Sequence, residues 1–135
     1  MSQQKQNKIF LGLRIVQGLI FTVFGLNGFL NFIPQPATMP EAAMNFAGAM
    51  AATGYMFPLI KGTEVLMGLL LLSGYSVPFA LVVLSPIVIN IFLFHFVLTP
   101  GDFALQLVIV LIHAALGYGY KESFKSLFGK TNPTK

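Results

Sequence analysis

Few residues in this 135-residue chain can do chemistry, and most of those sit inside long apolar stretches. Glu64 is foremost. Lys61 precedes it by three residues on the same helical face, so the carboxylate must either pair with that cation or take up a proton, because a bare charge in hydrocarbon is costly. Asn27 and Asn31 lie near the end of the first apolar stretch, Asn90 and His95 in the third, and Gln106 and His113 in the fourth. Amides and imidazoles donate to the carbonyl oxygens of a bound molecule, while carboxylates and imidazoles exchange protons. The candidate ligand-binding residues are therefore Asn27, Glu64, Asn90, His95 and His113, with Glu64 and His95 the candidates for proton exchange. No catalytic role is assigned beyond that. The competing expectation is a structural one: an ion pair for Glu64, and plain interhelical hydrogen bonds for the amides and His113.

The same inventory excludes whole classes of chemistry. There is no cysteine, which rules out thiol–disulfide exchange, persulfide carriage, iron–sulfur clusters, thiolate zinc and covalent c-type haem. Bis-histidine haem is disfavoured because the expected depths of His95 and His113 differ by about 14 Å, too far apart to ligate one iron. No Glu-x-x-His pair is present, so a di-iron carboxylate centre is not expected, and no metal site is assigned. The net charge of +4 comes from basic residues near the two ends of a lipid-soluble chain. It points to anionic headgroups, not to nucleic acid.

The elements that must position these residues follow from composition. Hydrophobic residues make up 56% and charged residues 9%, with a mean hydropathy of +0.79, too little charge to clothe a soluble surface. Residues 9–33, 57–75, 77–98 and 103–120 are apolar stretches, each long enough to cross a hydrocarbon core of about 30 Å. Pro34 and Pro36 end the first. Thr38-x-x-Glu41 then has the spacing of a capping box, with Pro40 suited to a first turn, and residues 39–53 form an expected helix of about 22 Å that is too short to span. Gly54 is its expected C-cap. The helix either lies in the outer interface, dips in as a lid, or simply plugs the top. The expected fold class is all-α: an integral membrane four-helix bundle, residues 1–135 as one domain, with a short interfacial helix between the first and second spans.

Orientation comes from the charges. Lys5, Lys8 and Arg14 flank the first span and Lys121, Lys125, Lys130 and Lys135 follow the last, so the positive-inside rule puts both termini in the cytoplasm. The first span lacks an A-x-A cleavage pattern and reads as retained. Arg14, about one turn into its span, is expected to snorkel to headgroups. Pro78 fits the first turn after a tight link at residues 74–78. Measured from the centre of each span, Asn27, Asn31, Glu64, Asn90, His95 and Gln106 fall about 9, 15, 3, 4, 11 and 8 Å toward the outside, and His113 within about 3 Å of the midplane. Polar groups thus gather in the outer half. The glycines of the first two spans are expected to let helices approach each other. Tyr55, Tyr75, Tyr118 and Tyr120 suit an interfacial belt.

The run Phe24-Gly25-Leu26-Asn27-Gly28-Phe29, the Gly54-Tyr55, Pro58-Leu59, Glu64 and Gly68-Leu69-Leu70-Leu71 series, and Pro86-Ile87, Asn90-Ile91 and Phe94-His95 resemble the DoxX-like family of small four-helix membrane proteins. The likeness spans about residues 9–124. It is specific at Glu64 and from Asn90 to His95 and generic elsewhere; where many relatives carry Lys or Arg in the first helix, this chain has Gly28. The resemblance implies a bacterial inner-membrane protein tied to quinone-linked sulfur oxidation or oxidative-stress complexes, with a redox protein as partner. Without cysteine this chain does not supply the sulfur chemistry itself.

The leading expectation is a subunit that holds a quinone or similar lipophilic molecule among Asn27, Glu64, Asn90 and His95. The alternative is a non-enzymatic membrane assembly or interaction subunit whose polar residues only join helices. A small proton-coupled carrier comes third, because no inverted repeat is visible and an oligomer would be needed to build a pathway.

Overall fold

The computed structural model describes residues 2–133 and is helical throughout, with no strand among the described residues. Its elements are α1 (Gln3–Leu30), α2 (Glu41–Ala52), α3 (Met56–Ser73), α4 (Val77–Leu93) continued by a π-helical turn (Phe94–Leu98), α5 (Ala104–Gly119), and a short α6 (Lys121–Phe124) that runs into a 3-10 turn. Three of these, α1, α3 and α4 with its π turn, are long and apolar enough to cross a membrane. The fourth apolar stretch forms α5, a shorter helix than the other three. α5 has 16 residues and meets the α6 segment at a bend of 76° near Tyr120.

Local chemistry sets the ends. The Ser2 hydroxyl accepts from the Lys5 N–H, which starts α1 well ahead of its apolar stretch. It stops at Asn31, whose left-handed backbone (φ 51°) closes the last turn through a bond from its N–H to the Asn27 carbonyl. α2 falls close to its expected position, but Pro40 is its N-cap and no side chain caps it. The capping box at Thr38 and Glu41 therefore does not form: with proline as the cap, there is no side-chain acceptor at that position. Gly54 (φ 74°) follows α2 in the left-handed conformation expected of a residue just past a helix end. Gly74 (φ 76°) and Ser76 (φ 51°) make the sharp link from α3 to α4, with Pro78 in the first turn beyond it.

Packing runs from α1 to α3, α3 to α4, α4 to α5 and back from α5 to α1. Phe21, Leu71, Leu81, Leu84 and Leu116 are almost fully enclosed at the centre. The α1–α3 contact is the most extensive, and glycine makes it close. A Cβ on Gly18 or on Gly68 would lie 3.0 Å from the other's carbonyl oxygen, so the two backbones touch without side chains between them. Gly12 and Gly62, by contrast, face open space. α2 lies against α3 and the π turn, buries only Ala43 and sets Phe46 against Phe94 with ring centroids 5.6 Å apart and the planes tilted by 48°.

Candidate functional site

Glu64 is 1% exposed and sits where α3 meets α1. Gly25 makes the room: a Cβ there would come within 3.1 Å of the Glu64 Cβ. Lys61 supplies the cation, its Nζ lying 3.1 Å from Oε2 and 3.4 Å from Oε1 of Glu64. The aliphatic stem of Lys61 runs across Gly28, where any β-carbon would collide with it. Two glycines of α1 thus admit an ion pair that belongs wholly to α3. Of the partners the sequence left open for Glu64, the structure brings Lys61 within ion-pair distance.

Asn27, only 8% exposed, works on its own helix end. Its Oδ1 accepts the Ile33 N–H at 2.7 Å, while its carbonyl accepts from Asn31. Asn31 itself is exposed. The chain turns out of α1 through these bonds, and the amide satisfies a donor that the proline-rich segment beyond would leave open.

His95 is half-buried in the π turn, where its Nδ1 bonds the Ile91 carbonyl at 2.9 Å and its own carbonyl accepts from the Thr99 hydroxyl. The ring also meets Phe94 edge-on. Its bonds are to its own helix and not to Glu64. Asn90 faces outward: it is exposed, as are Phe79, Val82, Pro86, Leu93 and Val97, which recur with it every three or four residues along one side of α4 and the π turn. It is the one polar residue in that stripe. No hydrogen bond or ion pair among the described residues joins any two of Asn27, Glu64, Asn90 and His95.

The richest polar cluster joins three helices. His113 of α5 places Nε2 3.1 Å from the Leu81 carbonyl and 3.0 Å from the Ser85 hydroxyl, both on α4, and Nδ1 3.4 Å from the Gln17 amide nitrogen of α1. A carbonyl only accepts, so the hydrogen sits on Nε2, and Nδ1 then accepts from Gln17. Gln17 also donates to the Ile109 carbonyl. It is 0% exposed and its Oε1 has no partner. Neither Gln17 nor Ser85 stood among the candidate residues. The available signal was position: Gln17 lies one turn before Phe21 and two before Gly25, on the buried side of α1. Gln106 is half-buried with an unpartnered Oε1 and does not join His113.

No group of acids and histidines suited to a metal ion occurs among the described residues. The chain matches no protein-family model, no curated protein and no solved structure.

Proposed function

We propose that this chain is a DoxX-like, multi-pass protein of the bacterial inner membrane, a four-helix bundle with α2 at the outer interface and both termini cytoplasmic. In this reading it works as a non-enzymatic assembly or interaction subunit of a redox or oxidative-stress system. The observation that carries it is Asn90. A carboxamide about 4 Å from the middle of the Val77–Leu98 span, on a face otherwise made of Phe, Val, Leu and Pro, meets nothing in lipid that can bond both its donor and its acceptor. A helix of another chain can. Pro86, one turn earlier on the same stripe, has no N–H to give the Val82 carbonyl, which adds an acceptor to that face.

The interior supports the reading from the other side. Glu64 is taken by Lys61, Asn27 by the end of α1, and His113 by Ser85, Leu81 and Gln17. Asn90→Leu tests the proposal by native electrophoresis of gently solubilised membranes. The variant should run at the size of the lone chain while the wild type runs larger; equal mobility of the two would contradict it.

One observation favours a second reading, a quinone- or lipophilic-ligand-binding subunit. A quarter of the Lys61 side chain is exposed beside a carboxylate that is 2% exposed, so its ammonium offers a donor to a quinone carbonyl at the protein surface while Glu64 balances the charge. Quinone titration of purified protein tests it. Affinity unchanged by both Lys61→Met and Glu64→Gln removes this reading.

A further inference from the structure

At the end of the molecule remote from Glu64, the start of α1 and the end of α5 enclose a cleft of about 300 Å³ lined by Asn7, Phe10, Leu11, Arg14, Gly119 and Tyr120. A second hollow of about 500 Å³ shares Asn7, Phe10 and Gly119 with it and extends to Gln3, Gln6, Ile9, Tyr118 and Lys121. Neither has an acidic residue in its lining. Arg14 makes no ion pair and no hydrogen bond among the described residues, and its Nε is buried without a partner. Its guanidinium is held in place all the same. It lies against Gly74 at the C-terminal end of α3, where a side chain on residue 74 would displace it. That helix end carries partial negative charge, which suits a cation but leaves its forked donors unfilled. At the outer rim, Lys121 rests its ammonium 4.3 Å from the centre of the Tyr118 ring.

We propose that this cleft is a binding site for the phosphate group of an anionic phospholipid. Guanidinium is the side chain best matched to phosphate oxygens, because its planar fork gives two parallel charge-assisted bonds. Asn7 and Tyr120 add neutral donors beside it, and Lys121 adds a second positive charge at the mouth. Phe10 and Leu11 give the cleft an apolar wall, which Ile9 continues in the adjoining hollow, and an acyl chain can lie along it. The free phosphate of a soluble metabolite shares the headgroup chemistry but makes no use of that wall. The site uses none of the residues on which the assembly reading rests, so the two stand or fall separately.

The test is native mass spectrometry of the full chain in detergent, with phosphatidylglycerol, phosphatidylcholine or inorganic phosphate added, for the wild type and for Arg14→Gln, Lys121→Gln and Lys130→Gln. The wild type should retain phosphatidylglycerol over phosphatidylcholine. Arg14→Gln should weaken that retention about tenfold, Lys121→Gln less, and Lys130→Gln not at all. Thermal unfolding of each variant separates lost binding from lost folding, and Lys121, an exposed side chain, tests the site even if Arg14→Gln unfolds. Saturable binding of inorganic phosphate that displaces the lipid and depends on Arg14 would assign the same site to a soluble phosphate compound. Equal retention of phosphatidylglycerol by wild type, Arg14→Gln and Lys121→Gln overturns the proposal, as does an equal loss in Lys130→Gln.

Discussion

The Lys61 ammonium lies 3.1 Å from one oxygen of Glu64 and 3.4 Å from the other, one turn away on the same helix. The most deeply buried charge in a charge-poor chain thus has its cation built in. Such a pair gains little net stability, because desolvation of the carboxylate offsets the attraction, but it is costly to break, since removal of one partner strands the other in an apolar setting. Lys61→Met should destabilise the protein by about 2 kcal/mol, less than the about 3 to 5 kcal/mol of a fully buried pair because part of the lysine reaches the surface. The double variant Lys61→Met with Glu64→Leu should recover most of that loss. Thermal unfolding in detergent checks both, and strict additivity would show that the pair is not coupled.

The pair depends on room made by α1. Gly25→Ala puts a methyl group against Val65, with its side chain and its backbone nitrogen both within 3.0 Å. A backbone neighbour cannot swing away, so a loss of about 1 to 3 kcal/mol is expected. Gly12→Ala meets nothing within 4 Å and should leave stability unchanged or slightly raised, because alanine is the better helix former. Unfolding midpoints measured side by side should therefore differ in opposite senses.

His113 holds α1, α4 and α5 together through Gln17, Ser85 and the Leu81 carbonyl. His113→Leu should cost about 1 to 2 kcal/mol in detergent stability. Gln17→Met should cost less than about 1 kcal/mol, because the long contact at 3.4 Å is weak and the orphaned Oε1 of Gln17 disappears with it. If Gln17→Met proves the more damaging of the two, the histidine is not the centre of this cluster.

The sequence carried the helices and the class of contact between them, and it failed on which way each side chain faces. The apolar stretches placed α1, α3 and α4 because a length of uninterrupted hydrophobic residues needs no knowledge of faces. Gly18, Gly25 and Gly28 of α1 are readable as packing residues for a similar reason, since small residues let membrane helices approach, whereas Gly12, read the same way, faces open space. Direction was a different matter. In a soluble helix the polar side marks the outside, but lipid is as apolar as a protein core, so hydrophobic periodicity does not distinguish them. Asn90 on an outer stripe and Gln17 at the centre look alike in sequence. Depth along the membrane normal can be counted from helix length, and it assigns Asn27, Glu64, Asn90 and His95 to one half of the bundle, but level alone does not bring side chains together. The end of α1 shows the same limit: Asn27 is at the expected height, but its partner is the Ile33 N–H, fixed by the left-handed turn at Asn31 that no spacing rule announces.

What meets Asn90 decides between a lone chain and an assembled one. The most direct measurement is photo-cross-linking in native membranes, with a photoreactive residue placed at position 90 and, as a control, at position 111, an exposed leucine on α5 that no polar residue marks. A discrete protein adduct from position 90, absent from position 111 and lost when the chain is solubilised in harsh detergent before irradiation, is the predicted result. Only lipid adducts from both positions would contradict it.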